Sequence, residues 1–245
     1  MRKILALVQR ELLGYFSSPL AWVVATAFVL YNGVWFYLIM SLLNRPETMA
    51  MAPFQLIFGT VFFWIFFLFL IPVITMRLLA EERKSGTIEV LLTSPISETQ
   101  VVLGKFVGAF VFYLFLWLPT VVYPIVLAAH SAIDWQVVAA TYLGVALLSL
   151  PFLAIGLFTS ALTRNQILAA VFCFVILVLI FAMPIVQNLV VNQELKSMLS
   201  YMSPWDHMDD FSKGLVDTRH IVLPLSMTTF FLFLATRALA AAKGR

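Results

Sequence analysis

From Leu20 to Leu43 the chain carries no charged side chain, and the same holds for Phe54–Met76, Phe106–Ala129, Trp135–Leu162, Ile167–Val191 and Ile221–Thr236. These runs are too long and too uninterrupted for the core of a soluble domain. A helix of about 20 apolar residues crosses the hydrocarbon of a bilayer. Only 11% of the residues are charged, against about 25% in soluble domains. The expectation is an all-α polytopic membrane protein with six transmembrane helices, a single transmembrane domain over residues 1–245. The last run is short, and "ATRALAAA" extends its helix into the interface.

Lysine and arginine set the orientation. With the N-terminus inside, Arg2, Lys3, Arg10, Arg77, Arg83, Lys84, Lys105, Arg164, Arg237, Lys243 and Arg245 are cytoplasmic, and Arg45, Lys196, Lys213 and Arg219 are outside. That is 11 against 4, so both termini are expected in the cytoplasm. The net charge of +3 reflects these span ends rather than an aromatic-interleaved basic patch, and nucleic acid is not an expected partner. "ILALV" is too short for the apolar core of a cleavable leader, so the N-terminus is expected to stay. The one cysteine, Cys173, lies in an apolar run and reads as packing.

No Asp, Glu, Lys, Arg or His falls deep within a predicted span, which argues against ion coupling or a proton relay. "TQVVLGK" has Thr99 and Phe106 where a phosphate-binding loop needs Gly and Ser or Thr, so ATP is not bound here in that way. Pro72, Pro119, Pro124, Pro151, Pro184 and Pro224 favour kinks. Small residues spaced by four mark candidate close helix contacts: Gly104 with Gly108, Ala140 with Gly144, Gly156 with Ser160.

Two segments are expected to lie on the membrane. In Met1–Phe16, the residues Ile4, Leu5, Val8, Leu12, Tyr15 and Phe16 fill about 120° of a helical wheel, opposite Arg2, Lys3, Gln9 and Arg10. Leu7 and Leu13 intrude on the polar side. Ser17-Ser18-Pro19 then ends this interface helix, residues 1–19. Residues 192–220 read as short outer helices at the interface, with Tyr201 and Trp205 at headgroup level. Their "WDHMDD" offers Asp206, His207, Asp209 and Asp210 as metal ligands, but capping and a solvated face are the simpler use.

Residues 77–97, "RLLAEERKSGTIEVLLTSPIS", interrupt the apolar pattern with a dense charged turn. Gly86 suits a left-handed helix end. Thr87 caps a short helix "IEVLLT", with Glu89 in its first turn, and Pro95 ends it. Ser97 and Gln100 form a capping box for the helix that becomes span 3, with Ile96 and Val101 at the staple positions. An apolar knob of Ile88, Leu91 and Leu92 inside a charged collar reads either as a docking element or as a loop helix packed on the membrane.

"EERKSGTIEVLLTSPIS…VVLGK" resembles the cytoplasmic loop of ABC-2 type transporter permeases. The run from "IPVITMRLL" to "LGKFVGAF" is most similar to permeases of the gliding-motility ABC system, and also to those of nitrous-oxide-reductase maturation. "ELLGYFSSPLAWV", "GLFTSALTRNQ" and "FSKGLVDTR" extend the resemblance along the chain. It implies a permease subunit of an ATP-driven transporter, an exporter of the bacterial inner membrane. It implies no cofactor in this chain, since ATP and Mg are bound by a separate ABC ATPase dimer. It implies a second permease half, either a copy or a related subunit. An envelope or periplasmic auxiliary subunit is a further candidate partner. Glu82, Gly86, Thr87, Glu89, Leu91, Leu92 and Pro95 then form the ATPase-coupling segment, with Ser97 and Gln100 as its exit cap. The alternatives are a mechanotransmitter acting on an envelope partner without moving a substrate, an intramembrane metal enzyme using the "WDHMDD" acids, and an ion channel, for which the spans offer no polar filter.

Overall fold

The structure, a computed structural model, describes residues 2–43, 53–87, 96–129, 133–190 and 192–243. Among these residues there are helices and connecting turns and no strand. An interfacial-type helix α1 (Arg2–Phe16) precedes α2 (Pro19–Leu43). Then follow α3 (Pro53–Phe58), α4 (Val61–Thr75), α5 (Ala80–Ser85), α6 (Glu98–Trp117), a 3₁₀ turn (Leu118–Val121) and α7 (Val122–Ala128). The second half runs α8 (Trp135–Leu162), α9 (Gln166–Phe181), α10 (Met183–Leu189), α11 (Gln193–Met202), α12 (Pro204–Ser212) and α13 (Arg219–Lys243). Six stretches are long and apolar enough to cross a membrane: Pro19–Leu43, Val61–Ser85, Glu98–Ala128, Trp135–Leu162, Gln166–Gln187 and Arg219–Ala241. They are spans 1 to 6 below.

Span 4 is the axis of the bundle. It is the most buried span and packs against spans 2, 3, 5 and 6, with span 6 lying along much of its length. Its small residues permit this. A side chain at Gly144 would overlap the Phe211 ring, and one at Gly156 would overlap Thr75. Of the three small-residue pairs read from the sequence, two lie at close contacts with both members, since Gly104 meets Leu7, Gly108 meets Glu11 and Ser160, beside Gly156, bonds to the exit of span 2; in the third, Gly144 does so. Span 1 is the least buried span.

Three of the prolines lie near helix breaks, whereas Pro151 and Pro224 lie inside unbroken helices. Pro119 lies in the 3₁₀ turn inside span 3, and Pro184 follows the break of span 5 at Ala182. The helix ends at Thr75, three residues after Pro72, and a turn over 76–79 leads into α5. Among the span starts, those of spans 2 and 3 differ most from the sequence expectation. Phe54–Phe58 belongs to the separate helix α3, because the chain breaks at Gly59 and an extended Thr60 before span 2 begins. A side chain at Gly59 would collide with the Gln55 carbonyl oxygen at 2.6 Å, so this tight turn favours glycine. Span 3 starts at Glu98 rather than Phe106, since its capped helix runs unbroken through Lys105.

The end of the bundle that carries α1 and α5 is called proximal here. The end that carries α11 and α12 is distal.

Candidate functional site: the charged seat of the N-terminal helix

Helix α1 lies on span 3 because span 3 offers it a groove without side chains. A methyl at Gly104 would stand 2.7 Å from Leu7 Cβ, and one at Gly108 2.8 Å from Glu11 Cβ. Leu7 is therefore part of the buried face, with Val8 and Tyr15, and does not intrude on a polar side. Leu5 and Leu13 point away from the bundle. The helix thus has two apolar sides, one for span 3 and one for lipid, and a basic edge containing Lys3 and Arg10.

Glu11 sits in the middle of the buried face. Its Oε1 accepts from Lys105 Nζ at 2.7 Å, and the same ammonium lies 2.9 Å from Glu82 Oε1 on α5. The Lys105 side chain is 2% exposed and the two carboxylates 15% and 13%, so the cluster is shielded from bulk solvent. Arg10 adds a looser, exposed contact to Glu82 at 3.8 Å. One ammonium thus joins three elements: α1, the exit of span 2, and span 3. Tyr15 reinforces the joint by donating to the Ile74 carbonyl at 2.8 Å and stacking on Phe112 at 4.4 Å between centroids. Burial, and next the nearby Glu11 charge, raise the Tyr15 phenol above its usual range, so it stays a donor. A polar cavity of about 370 Å³ lies beside this joint, bordered by Arg77, Glu81 and Glu82.

The exit of span 2 is fixed from the other side by span 4. Ser160 Oγ accepts from Leu79 N–H and Ala80 N–H, both at 3.0 Å, and donates to the Met76 carbonyl at 3.1 Å. The Arg83 guanidinium donates to the Ala161 carbonyl. Ser160 is fully buried. Replacing it with alanine leaves two buried N–H groups without a partner, at about 1–3 kcal/mol each. Thermal unfolding of purified Ser160→Ala protein is expected to show that loss, and unchanged stability would mean the turn finds other acceptors.

The remaining coupling-segment residues divide into two groups. Gly86 adopts φ +74°, the left-handed helix end expected of it. Thr87 Oγ1 lies 2.8 Å from Ser85 Oγ. Ser97 and Gln100 form the reciprocal capping box at the start of α6. Glu89, Leu91, Leu92 and Pro95, with the short helix expected over "IEVLLT", lie outside the described residues. Sequence reasoning did not find the Lys105 joint. Two signals carried it: Glu11 falls between Leu7, Val8 and Tyr15 on the wheel, and Lys105 follows directly on Gly104.

At the distal end the "WDHMDD" polar groups are each engaged locally. Asp206 accepts from Ser200, Asp209 pairs with Lys213, and Asp210 pairs with Arg219 and lies 3.1 Å from His220 Nε2. His207 Nε2 lies 2.9 Å from the Tyr201 carbonyl and donates to it. No group of three or more His, Cys, Asp or Glu side chains among the described residues is placed to hold a metal ion. Burial, chiefly, lowers the pKa of His207 below its ordinary 6.5. The folded state therefore favours the neutral ring, and its contribution is present above pH 6.5 and lost as pH falls through the lowered value. Hydrogen exchange in α12 is expected to lose protection as pH falls below 6.5, and to do so less in His207→Gln.

Among the described residues, six apolar helices around a small-residue axis, with their ion pairs gathered at the two ends, define a multi-pass helical membrane protein. The model of the ABC-2 family transporter protein matches residues 5–242, and the chain belongs to that family. It is thus a transmembrane permease subunit of an ABC transporter, in a family that works with an ABC ATPase. No curated protein matches the chain.

Proposed function

We propose that this permease converts ATP binding and hydrolysis by a separate ATPase dimer into movement of its membrane helices, as an exporter of the bacterial inner membrane. In this reading the proximal end and both termini are cytoplasmic, and residues 77–97 meet the ATPase. ATP and Mg stay in that partner, and a second permease half completes the pathway. The observation that supports it is the Lys105 joint. Residues 77–97 leave span 2 through α5, whose Glu82 shares one ammonium with α1 and span 3. Force applied to that loop passes to three elements at once. The sequence likeness to gliding-motility permeases is consistent with this role and does not name the cargo.

Affinity purification of the tagged chain in mild detergent tests the proposal. A near-stoichiometric ABC ATPase is expected among the copurified proteins, and its absence would sink the reading. Leu91→Asp places a charge on the expected docking knob. ATP turnover by the copurified ATPase is expected to continue while ATP-driven displacement of spin labels on spans 1 and 6 is lost; displacement as in the wild type would remove Leu91 from the interface. The second reading, a mechanotransmitter, is favoured by one feature. Helix α11 has no buried residue and presents Leu195, Met198 and Met202 outward, a surface suited to an envelope partner. A copurified ectodomain subunit without measurable flux would select it.

A further inference from the structure

A cleft of about 480 Å³ opens at the distal end, where span 5 breaks at Ala182. Spans 2 and 5 form its walls, and Trp205 of α12 borders it. Leu68, Val178 and Ile185 give it an apolar lining, and no charged side chain lines it. Trp64 also lines it, its ring centroid 5.2 Å from that of Trp205 and 4.9 Å from that of Phe181.

The two indoles are the informative feature. Trp64 is 2% exposed, and neither its Nε1 nor that of Trp205 has an acceptor among the described residues. The fold satisfies other indoles: Trp22 donates to the Phe16 carbonyl at 2.8 Å and Trp35 to the Ile57 carbonyl at 3.2 Å. Trp117 also lacks an acceptor, but the gap beside it is only about 10 Å³, too small for a ligand. A donor shut in an apolar setting without a partner is costly. Two of them beside one cleft point to an acceptor supplied from outside the chain. Their level in the bundle says which. Trp64 lies in the first turn of span 2 and the Trp205 ring packs on it, so both stand at the end of that span. Bilayer hydrocarbon gives way there to headgroups, a level at which tryptophan is enriched and where glycerolipid ester carbonyls accept hydrogen bonds but cannot donate them.

We propose that this cleft holds one resident bilayer glycerolipid, with an acyl chain between spans 2 and 5 and an ester carbonyl that accepts from the Trp64 and Trp205 indoles. The half-buried Trp205 ring is the movable wall, and a small turn of it brings the N–H groups to the ligand. Because no charge lines the cleft, the site reads chain and ester and is indifferent to the headgroup.

The full chain in nanodiscs tests this, with phosphatidylcholine carrying a diazirine on one acyl chain, in ester-linked and ether-linked forms. Photolabelling mapped by mass spectrometry is expected to concentrate on Leu68, Val178 and Ile185 over the exposed Val29 and Leu30 of span 1. The ester form should label about three- to tenfold more than the ether form, as loss of a hydrogen bond implies. The pair Trp64→Phe with Trp205→Phe should keep the labelling and erase that difference. Val178→Trp should fill the cleft and lower the yield severalfold. Uniform labelling of all lipid-facing helices, or an ester preference unmoved by the phenylalanine pair, would overturn the proposal. So would loss of the cleft label when ATP and the copurified ATPase are added, since the occupant would then be cargo.

Discussion

Lys105→Met is expected to be strongly destabilising although it replaces a charged residue with an apolar one at a site 2% exposed to solvent. The reason lies in what is left behind. Glu11 and Glu82 both face the position of the ammonium, and without it two largely buried carboxylates repel each other across the α1–α5 junction. Breaking a buried ionic cluster by removing one partner costs about 3–5 kcal/mol. The polar cavity beside the joint admits water and moderates the loss, so about 3 kcal/mol is the expected figure. Thermal unfolding in detergent measures it. The triple substitution Lys105→Met, Glu11→Gln, Glu82→Gln removes all three charges and should recover much of the stability, because the cost of desolvating them disappears as well. Such non-additivity is the signature of one shared joint. If the three single losses simply add, the ammonium does not bind the carboxylates as a unit. Arg10 offers the contrast. Its 3.8 Å contact is mostly exposed, and its removal falls in the range of about 0–1 kcal/mol seen for surface pairs.

The same joint separates what the sequence discloses from what it hides. Spans 1 and 4 were legible nearly to the residue, because an uncharged run bounded by Ser-Pro or Asp-Trp leaves the helix no other place to start. The Ser97 box and the left-handed Gly86 were legible because capping depends on neighbours a few positions apart. The false start of span 2 shows the limit: Phe54–Phe58 is as apolar as a span, and only the steric demand at Gly59 separates it. The Lys105 joint is a contact across 94 residues, and no local pattern encodes its geometry. What the sequence shows is each half of it, a carboxylate inside an apolar arc and a lysine inside an apolar helix. Buried charges need partners, so each half implies the existence of the other without its identity. Leu7 follows the same logic. It looked misplaced on the wheel because the wheel assumed one apolar side facing lipid, whereas α1 has a second side set by the glycines of span 3.

Gly156→Leu is expected to be the most damaging substitution in the membrane region. Span 4 meets span 2 here with only the Thr75 side chain between them, and even a methyl at Gly156 would lie 2.6 Å from Thr75 Cβ and 2.8 Å from its Cγ2. Thr75 cannot retreat: it is fully buried, and its hydroxyl donates to the Ile71 carbonyl at 2.8 Å. The two spans must therefore separate. Overpacking of this kind costs about 1–3 kcal/mol by itself. Ser160 lies one turn further along the same face of span 4 and holds the exit of span 2 by three hydrogen bonds. Separation at Gly156 strains those bonds too, and each buried donor that loses its acceptor adds about 1–3 kcal/mol. The combined effect should place Gly156→Leu well below Ser160→Ala in thermal stability and in yield of folded protein. Gly14→Ala is the control for glycine replacement as such. Nothing lies within 4 Å of a methyl there, and the better helix propensity of alanine should stabilise α1 by about 0.5–1 kcal/mol. Should Gly156→Leu melt no lower than Ser160→Ala, spans 2 and 4 would not be in backbone-close contact. The path from the proximal loop into the centre of the bundle would then have to run through span 3 and Lys105 alone.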